Sequence, residues 1–208
     1  MSYIKDKPVK QSFVTKFPPV ERRTSTILNR KFCIPIIQGG LIMTVSTRLA
    51  TNEDLHAIVD LLRPNTAVEG GSLYGDWSEN PIREWLASGT PVVLAIEAGN
   101  VTGVLFSAEK AAATAPPVIA TLKAYPGEED AYVYGPVCID ASMRGKGVLG
   151  LLYAEMKKHM KARQGILFIN KRNEASLRAH HKMRMRTVAE FKLGSEDFDV
   201  LTTDGADA

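Results

Sequence analysis

From Thr44 onward, short apolar runs at strand spacing alternate with longer segments at helical spacing, and their order predicts a mixed α/β domain. Val45 to Thr51 suits a strand. Thr51-Asn-Glu-Asp54 then has the form of a capping box, which satisfies the free amides of a starting helix. Leu55, Ile58, Val59 and Leu62 line one face of that helix until Pro64 stops it. Asn80 as N-cap, Pro81 at the first helical position, apolar Ile82, Trp85 and Leu86, and a closing Gly89 predict a second helix. Two strands follow, Pro91 to Glu97 and Val101 to Ala108, joined through Gly99-Asn100 as an antiparallel hairpin.

Residues 109–130 are rich in Ala, Pro and Gly and read as a long functional loop with a short helix around Pro117 to Lys123. Ala131 to Ile139 is a β-branched and aromatic strand. Gly135-Pro136 interrupts it, and a proline there implies a bulge or an unpaired site. A helix begins near Lys146 with Leu149, Leu152, Tyr153, Met156 and Met160 on its buried face; Lys157, Lys158, Lys161 and Arg163 at its far end complement the helix dipole. Ile166 to Ile169 is the next strand, Asn173 caps a helix through Met183, and Thr187 to Leu193 and Phe198 to Thr202 are closing strands.

A length of 208 residues fits one domain, or one domain with an appendage. With 45% hydrophobic and 24% charged residues the chain lies far from the disordered regime. No apolar run approaches the roughly 18–20 residues that cross a bilayer, so no membrane is expected as a partner. Cys33 and Cys138 form neither a disulfide scaffold nor a zinc framework; this usage fits a reducing cytoplasm, and no metal is expected.

Charge divides the chain. Residues 1–42 hold eight Lys/Arg against Asp6 and Glu21, a net of +6, which leaves −3 for the remainder of a chain whose total is +3. Pro8, Pro18, Pro19 and Pro35 interrupt this leader, which reads as a basic N-terminal arm ahead of a domain at 43–208, with Met43 a candidate natural start. Its apolar piece lacks a small-x-small cleavage site, which argues against a signal peptide. Without interleaved aromatics or a recognised motif the arm is not expected to bind nucleic acid; docking on a partner or a second copy, giving a homodimer, stays open.

Tyr132-Val-Tyr-Gly-Pro-Val-Cys-Ile-Asp140, followed by Arg144-Gly-Lys-Gly-Val-Leu-Gly150, carries the chemistry. A strand leads through a short loop into a glycine-containing helix start. There the amides of Gly145, Lys146, Gly147, Val148, Leu149 and Gly150 point outward at a positive helix end and can cradle a pyrophosphate. Neither a Walker loop nor a dinucleotide fingerprint is present, and tight packing alone also produces such turns.

These residues resemble the GNAT superfamily of acetyl-CoA-dependent N-acetyltransferases. Arg144, Gly147 and Leu149 fall on its R/Q-x-x-G-x-G/A positions, with Leu149 departing from the pattern. The segment Asn173 to Phe191 is similar to the family's second signature, with Asn173, Ser176, His180, Lys182, Val188, Glu190 and Phe191 in register and Arg184 where the family prefers glycine. The resemblance spans roughly Thr44 to Thr202.

It implies a mixed, mostly antiparallel central sheet with helices on both faces and a splayed V between the fourth and fifth strands, here 131–139 and 166–169. The pantetheine arm of acetyl-CoA, the acetyl donor, threads that gap and bonds amides around Val137, Cys138 and Ile139, one of which polarises the thioester carbonyl. The acetyl group passes directly, in a ternary complex, to a primary amine of a small molecule or a protein.

His180 stands where the family usually has a tyrosine acting as general acid. An imidazole near pKa 6.5 would be a partly charged donor at neutral pH; the plainer role is packing on its helix. Glu97, Glu109, Asp130, Tyr134 or a bound water are candidates for the base. Glu69, Asp76 and Glu79, with Tyr74 and Trp77, are placed to attract a cationic amine or simply to solvate a loop. Lys171, Arg172, Arg178 and Lys182 either meet the adenosine 3′-phosphate or form a solvated basic face. Cys138 reads as a small buried hydrophobe rather than a nucleophile. The competing readings are an acyl-CoA-binding module without catalysis and a regulatory interaction protein.

Overall fold

The computed structural model describes residues 32–38 and 41–203, and among these the strands form one eight-stranded sheet. In chain order they are β1 (Phe32–Gln38), β2 (Leu41–Leu49), β3 (Val93–Glu97), β4 (Asn100–Glu109), β5 (Tyr132–Ile139), β6 (Gly165–Asn170), β7 (Arg186–Leu193) and β8 (Glu196–Thr202). They lie side by side as β1-β2-β3-β4-β5-β6-β8-β7. Every neighbouring pair is antiparallel except β5 and β6, which run parallel.

Five helices cover this sheet: α1 (Leu55–Leu62), α2 (Glu79–Ala87), α3 (Pro116–Ala124), α4 (Val148–Met160) and α5 (Glu174–Lys182). On one face Leu152, Met156 and Met160 of α4 pack with Val93, Ala95, Leu105, Leu167 and Ile169, and Leu177 of α5 joins them. On the other, Leu55, Ile58 and Leu62 of α1 and Ile82 of α2 pack with Leu94, Val104 and Phe106. Consecutive strand residues supply opposite faces, so a single sheet feeds two cores. Gly103 lets α4 approach β4 closely, since a β-carbon there would lie 3.2 Å from both Leu152 and Val148. Among the described residues no helix is long and apolar enough to cross a membrane.

The capping box forms. Thr51 donates its amide to Asp54 Oδ2 at 2.8 Å, and Arg48 grips the same carboxylate through two bonds of 2.7 and 2.6 Å. Burial pushes the Asp54 carboxyl upward, but the bonds from Arg48 and Thr51 outweigh it and hold the group below its ordinary range. The end of β2 is thereby pinned to the start of α1.

Several boundaries differ from expectation. Part of the leader joins the sheet, because Phe32–Gln38 pairs with β2 and Pro35 sits opposite Thr44. A proline is compatible with an edge strand, whose outer amides need no partner. The basic leader up to residue 31 lies outside the described residues. α2 begins at Glu79 under an N-cap Ser78, with Pro81 third in the helix; the whole first turn tolerates a missing amide proton. In α4 the buried residue of the first turn is Val148, while Leu149 is only half-buried.

α5 ends in a left-handed turn. Arg184 has φ 66°, its amide donates to the His181 carbonyl at 2.9 Å, and the Met185 amide reaches back to the His180 carbonyl at 3.2 Å. This is a Schellman closure with buried Met185 as its apolar contact. A side chain in that conformation costs about 1–2 kcal/mol relative to glycine. Arg184→Gly is therefore expected to raise stability by about 1 kcal/mol, a gain of roughly 2–4 °C in Tm for a domain this size. Calorimetry checks it; a lowered Tm would mean that the arginine side chain contributes more than its backbone strain removes.

Candidate active site

The Gly135-Pro136 interruption determines what β5 presents on each side. Leu105 pairs with Val137 but Ser107 with Tyr134, so two residues of β5 oppose Phe106 alone: a β-bulge. The extra residue shifts the alternation by one. Tyr132 and Tyr134 pack on the α4 side before the bulge, and Val137 and Ile139 on that same side after it. Cys138 consequently turns to the α1 side, where its Sγ lies 3.7 Å from the Leu61 carbonyl and burial pushes the thiol up to about 11. It faces away from the gap.

Backbone direction follows the same logic. Tyr132 donates its amide to the Gln164 carbonyl, toward β6, whereas Asp140 donates to the Thr102 carbonyl, toward β4. By alternation the amide of Cys138 also points to β4, and those of Val137 and Ile139 point to the β6 side. There β6 has already departed: the two strands pair only at Tyr132 with Gly165 and Val133 with Ile166. The V is open from Tyr134 onward.

A cavity of about 230 Å³ occupies this opening. Tyr134, Val137, Asn173, Ser176 and His180 all line it. Asn173 Oδ1 accepts the Ser176 amide at 3.2 Å and so fixes the start of α5, two turns before His180. His180 is 1% exposed, and its Nδ1 lies 2.8 Å from the Ser176 carbonyl. A carbonyl only accepts, so Nδ1 carries the proton and Nε2 is left as a bare lone pair. Nε2 has no hydrogen-bond partner among the described residues, and neither has the buried Tyr134 hydroxyl, whose ring meets the imidazole edge-on at 5.8 Å between centroids.

Burial lowers the His180 pKa, with His181 adding to it and the Ser176 carbonyl opposing. The expected partly charged imidazole is therefore a neutral one. Burial, with the neighbouring Tyr132 and Tyr153 phenols, pushes Tyr134 well above its ordinary value, so it stays a neutral donor.

The loop between β5 and α4 brings Gly145 (φ 74°) and Gly147 (φ 80°) to the helix start, Gly147 as N-cap. The amides of Val148, Leu149 and Gly150 precede the first bond within the helix, from Leu151 to Gly147. A β-carbon on Gly145, Gly147 or Gly150 would meet nothing within 4 Å, so the surface over this turn is open. Arg144 is turned away from it: Nε donates to the Ile139 carbonyl at 3.1 Å and a terminal nitrogen to Asn65 Oδ1 at 2.6 Å. Lys146 lies between the two glycines, half-buried.

Other candidates lie elsewhere. Glu97 sits at the β3–β4 turn, paired with Asn100 and Val45, and does not line the cavity. Glu109 is held by Arg163 at 2.9 and 2.5 Å, and the Asp130 carbonyl accepts from the same arginine. Lys171, Arg172 and Arg178 pair with Glu190, Glu196 and Glu174 respectively, and Lys182 is exposed away from the cavity. The sequence reading missed the aromatic wall formed by Trp85, Phe168 and Phe198, because their spacing signals only helix or strand core. Among the described residues no cluster of three or more His, Cys, Asp or Glu could hold a metal.

No family model and no curated protein sequence matches the chain. Solved structures do. An acetyltransferase of the GNAT family from Streptococcus agalactiae 2603 superposes with a TM-score of 0.61 at 14% identity, covering 77% of this chain and 95% of its own. This chain has the GNAT fold. The structure of yncA from Salmonella typhimurium, solved with its cofactor acetyl-CoA, gives 0.60 at 19% identity over 78% of this chain and 94% of that one. Ribosomal-protein-alanine N-acetyltransferase from Brucella melitensis gives 0.59 at 21%, over 76% and 98%. The parallel β5–β6 pair corresponds to the parted pair expected of the GNAT fold, displaced by one in strand number because β1 precedes it.

The buried neutral imidazole has a consequence for stability. Unfolded, the ring titrates near 6.5; folded, it titrates lower, so the unfolded chain binds the proton first. Stability is expected to fall as pH drops below about 6.5, by at most about 1.4 kcal/mol per pH unit from this group, until the folded pKa is passed. His180→Gln removes that contribution. Urea midpoints of both proteins between about pH 7.5 and pH 5 should show a shallower acid loss in the variant; parallel curves would place the ring in a solvated setting.

Proposed function

We propose that the protein is an N-acetyltransferase that passes the acetyl group of acetyl-CoA to a primary amine within a ternary complex. The observation that carries this reading is the convergence, at one cavity, of the open-side amide of Val137 with the bare Nε2 of His180, with the amide of Ile139 two residues further along the same open edge. The residues present fit acetyl-CoA. An extended amide-bearing arm can add to β5 as a strand would, and the first turn of α4 offers amides to a pyrophosphate. When bound, acetyl-CoA supplies an activated acyl group and a thiolate leaving group.

The chain's own groups then divide the work. An amide on the open side of β5, from Val137 or Ile139, donates to the carbonyl oxygen as charge gathers there, an interaction worth about 3–4 kcal/mol where measured in other enzymes. The amine reacts in its neutral form, having left its ammonium proton to water, and His180 Nε2 accepts the one proton it loses on attack, with the ring oriented by Nδ1 on Ser176. The proton on the imidazole is then released to the departing sulfur, so none is gained or lost overall. Lowered basicity helps that return: a buried imidazolium is a stronger acid than a solvated one. Tyr134 donates a hydrogen bond into the same space. In this account His180 serves as proton acceptor first and donor second.

His180→Gln should lower kcat by about 10²–10⁴ while leaving acetyl-CoA affinity within a few-fold. Gly147→Val, which forces a branched side chain into a left-handed N-cap, should weaken acetyl-CoA binding by about tenfold or more with the fold retained. Thiol release and titration calorimetry check these. Tight binding without turnover on a panel of amines would identify a CoA-binding module instead, and no binding heat would remove the reading altogether.

A further inference from the structure

Beyond the open side of β5, the cavity is walled by aromatic and small residues. Trp77 and Trp85 stack at 5.9 Å and 27°, backed by Phe106, while Phe168 and Phe198 stand across the opening. The loop ahead of α3 closes it with small groups, Ala113 among them. The polar edges of both indoles are already used: Trp85 Nε1 donates to the Ser107 carbonyl at 2.8 Å and Trp77 Nε1 to the Tyr74 carbonyl at 3.0 Å. What these rings offer a ligand is their apolar faces.

Charge is distributed just as unevenly. Among the described residues no lysine or arginine lines the cavity. Lys110, just outside it, has its ammonium tied to the Pro126 and Glu128 carbonyls. The single carboxylate on the lining is Asp76, exposed at the rim, with Oδ1 accepting the Ser78 amide at 2.9 Å. A bound carboxylate or phosphate would lose hydrating water with no counter-ion on the lining to replace it, and would also face Asp76. A cation approaching the rim at Asp76 meets attraction from that carboxylate.

We infer that the acceptor is a primary amine borne on an apolar, ring-sized framework that carries no anionic group: an arylalkylamine rather than an amino acid or an amino phosphate. The inference deepens the acetyl-transfer reading and rests on it for the reaction, though not for the binding.

Matched pairs test it: 2-phenylethylamine against phenylalanine, and tryptamine against tryptophan, where only the carboxylate differs. With acetyl-CoA present, kcat/KM measured by thiol release should favour the decarboxylated member of each pair by about 100-fold or more. Binding is read separately. The chain has two tryptophans, both on this wall, so quenching of their emission by 2-phenylethylamine, and not by phenylalanine, reports on the wall itself. Trp77→Ala should raise KM for 2-phenylethylamine by about tenfold while acetyl-CoA affinity holds.

Selective quenching without turnover of any amine would sink acetyl transfer yet support the inferred ligand class. Turnover of the amino acids equal to or above that of the amines would overturn the inference and leave acetyl transfer standing. Absence of both quenching and turnover with the two amines would also overturn it.

Discussion

Backbone amides at the edge of two parted strands must find a partner, and in this molecule that requirement organises everything around the site. β5 is paired along its β4 side, but its β6 side is closed for only two residues. Beyond that point Val137 and Ile139 aim donors away from β4, that of Val137 into a cavity lined largely by apolar side chains. An unpaired donor in such surroundings costs about 1–3 kcal/mol. A ligand with carbonyls at peptide spacing relieves that cost as an added strand does. The gap is thus already shaped for an extended amide chain.

The bulge couples this gap to the chemistry. Because it shifts the alternation, Tyr134 on one side and Val137 on the other both turn toward α4 and α5, and His180 on α5 completes the group. Were β5 regular, Cys138 would take the place of Val137 and put a thiol beside the reacting centre. Burial then sets the protonation states: both Tyr134 and His180 are held neutral, one as donor and the other as acceptor. The absence of cations among the described lining residues extends the same theme to the acceptor side, where shape and aromatic faces replace ion pairing.

Much of this was legible in the residues. Periodicity located the helices and most strands to within a few positions, and Gly135-Pro136 announced the bulge. Asn173 was legible as a helix cap, while Ser176 and His180 were found through the resemblance of the segment Asn173 to Phe191 to the GNAT family's second signature. Other features were not legible. Pro35 hid β1 because a proline argues against a strand unless the strand is known to be an edge, which is a property of the sheet and not of the segment. The charge state of His180 depends on burial by residues distant in sequence. Glu97 looked suitable because it ends a strand, but it ends it at the wrong side of the sheet. Three of the basic residues around α5 looked available for a phosphate and are instead paired: Arg178 with Glu174 one turn back on the same helix, and Lys171 and Arg172 with Glu190 and Glu196, contacts that depend on how β7 and β8 fold back.

The central claim, that the open edge of β5 is where acetyl-CoA lies, is tested most directly by amide hydrogen exchange followed residue by residue with and without that molecule. The account predicts strong slowing at Val137 and Ile139 and in the first turn of α4, at Val148 to Gly150, with Cys138 unchanged because its amide already faces β4. Uniform exchange at Val137 and Ile139 in the two conditions, or protection confined to other parts of the sheet, would contradict it.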